Sequence, residues 1–373
     1  MPSTQSNLAP AFRKTTETFS AGAKSLAQRY FVSPEIFAQE QRKIFSEQWI
    51  LVGHQNQIPK AGDYFIPEVT GESLIVVRDQ RSTIRGFYNV CRHRGTRLRE
   101  DQRGHASVIQ CPYHAWTYAL DGRLLGAPHM DDVSGFDKAD YSLHPVHLGL
   151  WEGFIFVNLA DSPTPLDKWF APLAGKFGNL LKLRSAKRVD YNVQANWKLI
   201  FENYSECYHC PGVHPALSKL SPYDSAENDL TEGPFLGGFM RITKGNSLTM
   251  SGKSCALPID DFRDFDRIFY YSIFPNMLLS LHPDYVMVHQ LRPLSPDRTL
   301  ILCDWFFNPE AFEREDFKPE DAIEFWDMTN KQDWHVCELS QQGVASRAYE
   351  PGPYSPRESI PAAWDRYYLR FIN

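Results

Sequence analysis

The chain has 373 residues and a formal net charge of −6, a balance that leaves no basic footprint for nucleic acid or for an anionic membrane surface. Its 43% hydrophobic and 14% aromatic residues are enough for one large core or two domains. No apolar run approaches the roughly 20 residues that span a bilayer, and the N-terminal stretch lacks the apolar segment of a secretory signal. A cytoplasmic protein with no nucleic-acid or membrane partner is therefore expected. The seven cysteines form no regular framework, and a reducing compartment favours thiols and metal ligands over structural disulfides. Cys255, Cys303 and Cys337 read as buried small hydrophobes.

Residues 1–26 are polar and read as a loose leader. Ser33-Pro34-Glu35 then caps an amphipathic helix carrying Phe37, Phe45 and Trp49. Between about 50 and 160, β-branched and aromatic runs at 64–66, 73–78, 83–90, 116–118 and 154–157, with Asp121-Gly122 as a turn signal, predict a small antiparallel domain. The Pro-containing stretch 161–165 marks a boundary. Beyond it the pattern predicts helices over 166–183 and 196–210, strands over 186–193, 239–242, 269–274, 277–281, 285–291 and 299–307, and a long helix over about 319–342. The expected fold class is α+β: a leader and helix over 1–50 packing on the last domain, an all-β domain over 51–160, and an α+β domain over 161–373 with helices on one side of an antiparallel sheet.

Chemistry concentrates in two places. In the helix predicted over 196–210, Asn203, Glu206 and His209 are spaced by three and so share one face. Pro211 and Gly212 then let the chain turn, so that His214 can swing back toward His209. Two imidazoles and one carboxylate with open coordination positions form the facial set that suits Fe(II) and oxygen chemistry. Two hydrogen-bonded histidines near a helix end are the plain alternative.

Upstream, Cys91-Arg-His93 and Cys111-Pro-Tyr-His114 each offer one thiolate and one imidazole, with 17 residues between the pairs. A zinc site usually takes its local pairs with two to four residues between them, which C-x-H does not have. A Rieske [2Fe–2S] centre needs two Cys on one iron and two His on the other. Its potential, roughly −150 to +300 mV, lets it accept electrons from a flavin or ferredoxin donor. Arg92, Arg94 and Arg97 either face that donor or are simply solvated, and Tyr113 and Trp116 are expected to pack around the cluster. Cys207-x-x-Cys210 has dithiol spacing but is flanked by residues with metal roles, so no redox function is assigned to it.

Cys91-Arg-His-Arg-Gly95, Cys111-Pro-Tyr-His-Ala-Trp-Thr-Tyr118, Asn196-Trp-Lys and Glu206-x-x-His209-x4-His214, in this order, resemble the α subunits of Rieske non-haem iron oxygenases, the aromatic-ring-hydroxylating dioxygenase family. The resemblance runs from about residue 28 to the C-terminus. It implies a Rieske domain, a helix-grip catalytic domain holding mononuclear Fe(II), and a homotrimer in which one subunit's cluster feeds its neighbour's iron. It also implies an NAD(P)H-dependent flavin/[2Fe–2S] reductase. By position, Cys91, His93, Cys111 and His114 match the cluster ligands, and His209 and His214 match the iron histidines. The family's third ligand is a late aspartate; Asp333, within Gln332-Asp333-Trp334, matches best, with Asp327 and Glu338 as competitors.

Most of the family has an aspartate at position 206, linking a neighbouring cluster histidine to the iron site. Glutamate here, within Glu-Cys-Tyr-His-Cys, is similar to the branch acting on choline, glycine betaine, carnitine and other N-methylated amines. Asn203 matches a family amide near the iron, so Glu206 and Asn203 are the expected catalytic residues. The resemblance thus implies a terminal oxygenase that uses O2 to hydroxylate or N-demethylate a small quaternary or N-methylated amine. A ring-hydroxylating dioxygenase and a cluster-only electron carrier remain as alternatives. Aromatic faces hold a trimethylammonium group by about 0.5–2 kcal/mol per contact. Tyr204, Phe235, Phe239, Phe269, Tyr271, Phe274, Tyr285, Trp305 and Phe307 are candidates, each with a place in the core as its alternative.

Overall fold

The computed structural model describes residues 11–372, which fall into two compact units. One is continuous, Gln41–Ala171, and the other joins the chain up to Glu40 with everything from Pro172 onward. Among the described residues no helix is long and apolar enough to cross a membrane.

The continuous unit is built from short antiparallel strands in three sheets. Glu72–Arg78 is its central strand, pairing with Asp63–Phe65, Glu68–Val69 and Ile84–Tyr88. Leu74 to Val77 are buried on both faces, as expected of a β-branched run between other layers. The predicted Asp121-Gly122 turn is present, and Gly122 is required there. Its φ of +91° is left-handed, and a Cβ would meet the Phe87 ring at 2.5 Å. The helix predicted after Ser33 is split. Ser33 Oγ accepts the Ile36 N–H at 3.2 Å and caps Pro34–Glu40, whereas Gln41–Phe45 is a wider π turn in the other unit. Trp49 lies beyond both and donates its indole N–H to Thr164 O at 2.8 Å.

The discontinuous unit holds an eight-stranded antiparallel sheet. Its strands run in the spatial order Arg13–Lys14, Glu227–Leu230, Phe235–Arg241, Arg267–Ile273, Met277–Leu281, Tyr285–Ser295, Arg298–Phe307 and Arg184–Val193. The helices Trp197–Tyr204, Glu320–Val344 and Ser359–Ile372 pack with this sheet and with one another, giving the expected α+β class. Two expectations are corrected. Residues 11–26 are not a loose leader, because Arg13–Lys14 pairs with Glu227 and Asn228 at the sheet edge and Leu26 is buried; residues 1–10 lie outside the described residues. The helix predicted over 166–183 stops after Leu166–Trp169 and one 3-10 turn. Gly175 takes a left-handed φ of +69°, and Gly178 packs so closely that a Cβ would sit 2.2 Å from Asp260 O.

Buried polar groups tie the three helical segments together. Lys198 is fully buried, and its Nζ meets Glu40 Oε1 at 2.6 Å. Glu40 also accepts the Trp197 indole N–H at 2.8 Å and the Tyr368 hydroxyl at 2.6 Å. Asn196 caps the central helix by accepting the Lys198 N–H at 3.0 Å, while its amide donates to Phe31 O and Pro296 O. The Asn-Trp-Lys motif is therefore an anchor for the helix that precedes the loop bearing His209 and His214.

Glu202 and Asp365 form a second buried cluster. Burial, and then the neighbouring carboxyl, raise the Glu202 pKa, and burial raises that of Asp365 to about 7. Glu202 Oε1 and Asp365 Oδ1 are buried without a hydrogen-bond partner among the described residues, and a proton shared between the two carboxyls would satisfy both. Both folded-state values lie above the ordinary carboxyl range, so this contribution is complete below about pH 4 and is lost as pH rises through 7. Asp365→Asn supplies a permanent donor. Its melting temperature is expected to fall less than that of the wild type between pH 5 and 8, a differential on the order of a few kcal/mol; parallel pH profiles would refute the shared proton.

Candidate metal centre and cluster site

The helix predicted over 196–210 ends at Tyr204. Ser205 turns its hydroxyl back onto Phe201 O (2.5 Å) and pairs with Ser272 Oγ (2.7 Å), an alternative to continuing the helix. A new short helix begins at Cys210. Glu206 and His209 therefore do not meet on a helix face. Instead the Glu206 carboxylate folds over the loop, accepting the Tyr208 and His209 backbone N–H groups with Oε2 and the His209 Nδ1–H with Oε1, the last at 2.5 Å. The same break joins Cys207 to Cys210 as a disulfide, where thiols were expected.

His209 Nε2 is 3.2 Å and His214 Nε2 2.8 Å from the same oxygen, Asp333 Oδ1, on the long helix. The ligand atoms of the three residues all lie within 4.8 Å of one another. Each imidazole is oriented by its other nitrogen. His209 Nδ1–H donates to Glu206, and His214 Nδ1–H donates to Gln332 Oε1 at 2.7 Å, so both Nε2 atoms face the common point. Burial would lower the His209 pKa, but the Asp333 and Glu206 carboxylates outweigh it and push it up to about 10. Asp333 is the converse: burial would raise it, and the two imidazoles hold it below the usual carboxylate range. A divalent cation could replace the protons these groups share. The competing acids are engaged elsewhere: Asp327 accepts from Tyr191 OH (2.8 Å) and pairs with Lys331 (2.6 Å), and Glu338 accepts the Gln194 N–H (3.0 Å).

Nothing in the sequence marks Gln332 beyond its place beside Asp333. Gln332→Leu removes the acceptor that sets the His214 ring, and metal affinity measured by chelator competition is expected to weaken roughly 10–100-fold. An unchanged affinity would exclude that role.

A cavity of about 330 Å3 opens on these residues and on Asn203. Of the nine aromatic candidates only Tyr204 and Phe239 line it; the others belong to the core. Strand parity accounts for Phe269 and Tyr271. In Arg267–Ile273 successive side chains alternate, so Phe269 and Tyr271 pack against Phe177 while Tyr270 turns toward Tyr204 and Trp326 on the cavity side. Tyr270, Trp326 and Trp334 were missed. Alternation along the strand was the available signal for the first.

In the continuous unit, Cys91 and Cys111 head two matching loops. Cys91 O accepts from Gly95 N at 3.0 Å and Cys91 N donates to Thr96 O at 2.8 Å; Cys111 O accepts from Ala115 N at 3.1 Å and Cys111 N donates to Trp116 O at 2.8 Å. Both thiols are buried, and burial pushes that of Cys91 up. The His93 and His114 rings lie 4.8 Å apart, nearer the surface. Two thiols inside and two imidazoles outside fit a cluster with one buried and one solvent-facing iron. Tyr118 OH lies 3.3 Å from Cys91 Sγ, and Trp116 stacks on His93 at 4.8 Å. Tyr113 packs on the His114 ring, with centroids 3.7 Å apart, and keeps its outer side exposed. Arg92 is not free for a donor either: its guanidinium donates to Ser142 O (2.5 Å) and Asp140 O (3.3 Å).

Residues 180–373 match the family model of the ring hydroxylating alpha subunit (catalytic domain), and residues 48–137 match the Rieske [2Fe-2S] domain. The chain is a Rieske oxygenase α subunit. Its cofactors are those of the family, a [2Fe–2S] cluster and a mononuclear iron. The chain is 35% identical over 377 residues to the glycine betaine monooxygenase oxygenase subunit of Chromohalobacter salexigens, covering 90% of this chain and 82% of that one. It is 32% identical over 359 residues to the carnitine monooxygenase oxygenase subunit of Escherichia coli, covering 92% and 91%. The fold matches the quaternary ammonium Rieske monooxygenase CntA in complex with L-carnitine, with a TM-score of 0.76 and 28% identity over 96% of this chain and 99% of that one. Naphthalene 1,2-dioxygenase from Rhodococcus, at 20% identity and a TM-score of 0.77, shares the fold over 93% of this chain and 94% of that one.

Proposed function

We propose that this Rieske oxygenase is a terminal monooxygenase that hydroxylates an N-methyl group of a small quaternary or N-methylated amine. The observation that carries the reading is the pair of imidazoles whose Nδ1–H groups are held by Glu206 and Gln332, so that both Nε2 atoms aim with Asp333 at one point on an aromatic-walled cavity. In this reading His209, His214 and Asp333 hold the iron, and Cys91, His93, Cys111 and His114 hold the cluster, each within its own domain. The relatives named for glycine betaine and carnitine support the substrate class.

Iron bound there, fed by the cluster, supplies the activation of dioxygen. The protein supplies geometry. Glu206 keeps the proton of His209 on Nδ1, and Asn203 brings an amide to the same cavity wall. Tyr204, Tyr270 and Trp334 offer faces to a cation and exclude water. A hydroxylated N-methyl then loses its hydroxyl proton, the C–N bond breaks with its electron pair going to nitrogen, and formaldehyde leaves with the demethylated amine. A homotrimer and an NAD(P)H-dependent flavin/[2Fe–2S] reductase complete the proposal.

Purified protein, a surrogate reductase and NADH are to be incubated with a panel of N-methyl amines and aromatic acids. Substrate-dependent oxygen uptake matched by formaldehyde is expected with quaternary amines. A cis-diol retaining both atoms of labelled oxygen would instead make the protein a ring dioxygenase.

A further inference from the structure

The wall of the substrate cavity also carries two cations, Arg357 and Lys14. Lys14 is exposed on the edge strand. Arg357 is held in place from two sides. Its backbone N–H donates to Ser355 Oγ at 3.3 Å in a capping box closed by Glu358, whose carboxylate accepts the Ser355 N–H at 2.6 Å. Its guanidinium carbon lies 4.9 Å from the centre of the Tyr223 ring, which lines the same cavity.

What sets Arg357 apart is that its side chain is unused. Arg188, by comparison, is paired with both oxygens of Asp304 at 2.6–3.1 Å. Among the described residues no carboxylate comes within 4.0 Å of the Arg357 guanidinium and no acceptor takes its N–H groups, although Asp224 also lines the cavity. A guanidinium offers five donors in a planar fork that matches a carboxylate. Stacking on Tyr223 restricts the fork in advance, so less freedom is lost when an anion binds. The same cavity is also lined by the carboxylates of Asp333 and Glu206 and by aromatic rings, groups that suit a cation rather than an anion.

We propose that Arg357 anchors a carboxylate of the substrate, so that the cavity selects a zwitterion, a quaternary ammonium bearing a carboxylate, over the corresponding quaternary ammonium alcohol. This rests on the preceding reading that a quaternary amine is the substrate. Holding the anionic end at Arg357 fixes which end of the molecule faces the metal ligands, a positioning role.

The test uses Arg357→Gln and Arg357→Lys in the iron-loaded, cluster-containing enzyme, with glycine betaine as the carboxylated probe and choline as the alcohol. Formaldehyde release gives kcat and KM, and anaerobic calorimetry gives binding. Loss of a charge-assisted pair is expected to raise KM and Kd for the carboxylated probe roughly 10–100-fold in Arg357→Gln. The preference in kcat/KM over the alcohol should shrink by the same factor, and Arg357→Lys should restore part of it. Equal loss for both probes means a structural role, and unchanged carboxylate binding in Arg357→Gln means that the anchor lies elsewhere; either overturns the proposal. A wild type that releases no formaldehyde from any quaternary amine would sink the preceding reading, an outcome distinct from these because the loss of carboxylate binding in Arg357→Gln is read by calorimetry without turnover.

Discussion

Asp333→Ala is expected to lose oxygen-dependent turnover by roughly a thousandfold or more, the several kcal/mol that a bound metal ion contributes, while the visible spectrum of the cluster persists. Among the described residues Asp333 is the one anionic donor that both Nε2 atoms approach, at 3.2 and 2.8 Å. Without it two neutral imidazoles face a divalent cation alone, and the facial set is broken. Iron analysis should fall from about three to about two per chain, because the cluster pair of irons is ligated independently. His209→Ala should behave alike. Retained turnover, or loss of the cluster chromophore together with activity, would show that the three residues do not form a separate metal site.

Lys198→Met should destabilise the fold by about 3–5 kcal/mol, the cost of leaving a buried carboxylate without its partner. Lys198 and Glu40 are both fully inaccessible and 2.6 Å apart. Glu40 keeps its bonds from Trp197 and Tyr368 in the variant but no counter-charge. Adding Glu40→Gln removes the orphaned charge and should recover most of the loss, since replacing both members of a buried pair is often close to neutral. Chemical denaturation of the three proteins checks this. A single variant within 1 kcal/mol of wild type would mean that the pair is not energetically coupled.

Lys198 also marks a limit of reading the chain alone. Asn196-Trp-Lys was visible as a motif, but its purpose depends on Glu40, 158 residues earlier, and on Tyr368 in a C-terminal helix that the pattern did not announce. The metal loop gives the sharper case. His209 and His214 do converge, although the helix expected to carry His209 ends five residues before it. Helical spacing was the wrong cause. Ser205 ends the helix by bonding back to Phe201 and across to Ser272 on a strand, and that long-range contact is invisible to a local period.

Local chemistry determined what could be read directly. The two Cys/His loops, the strand Met277–Leu281 and the long helix follow from spacing and periodicity within a few residues, because a loop ligand pair and an amphipathic stripe are properties of neighbouring positions. The tertiary structure decided the rest: that Asp333 rather than Asp327 or Glu338 meets the imidazoles, that Gln332 sets the orientation of His214, and that Tyr270 rather than Tyr271 faces the cavity. Each of these depends on which face of one element is turned toward another more than a hundred residues or one strand away. Packing of apolar area sets that face, and no single stretch of the chain encodes it.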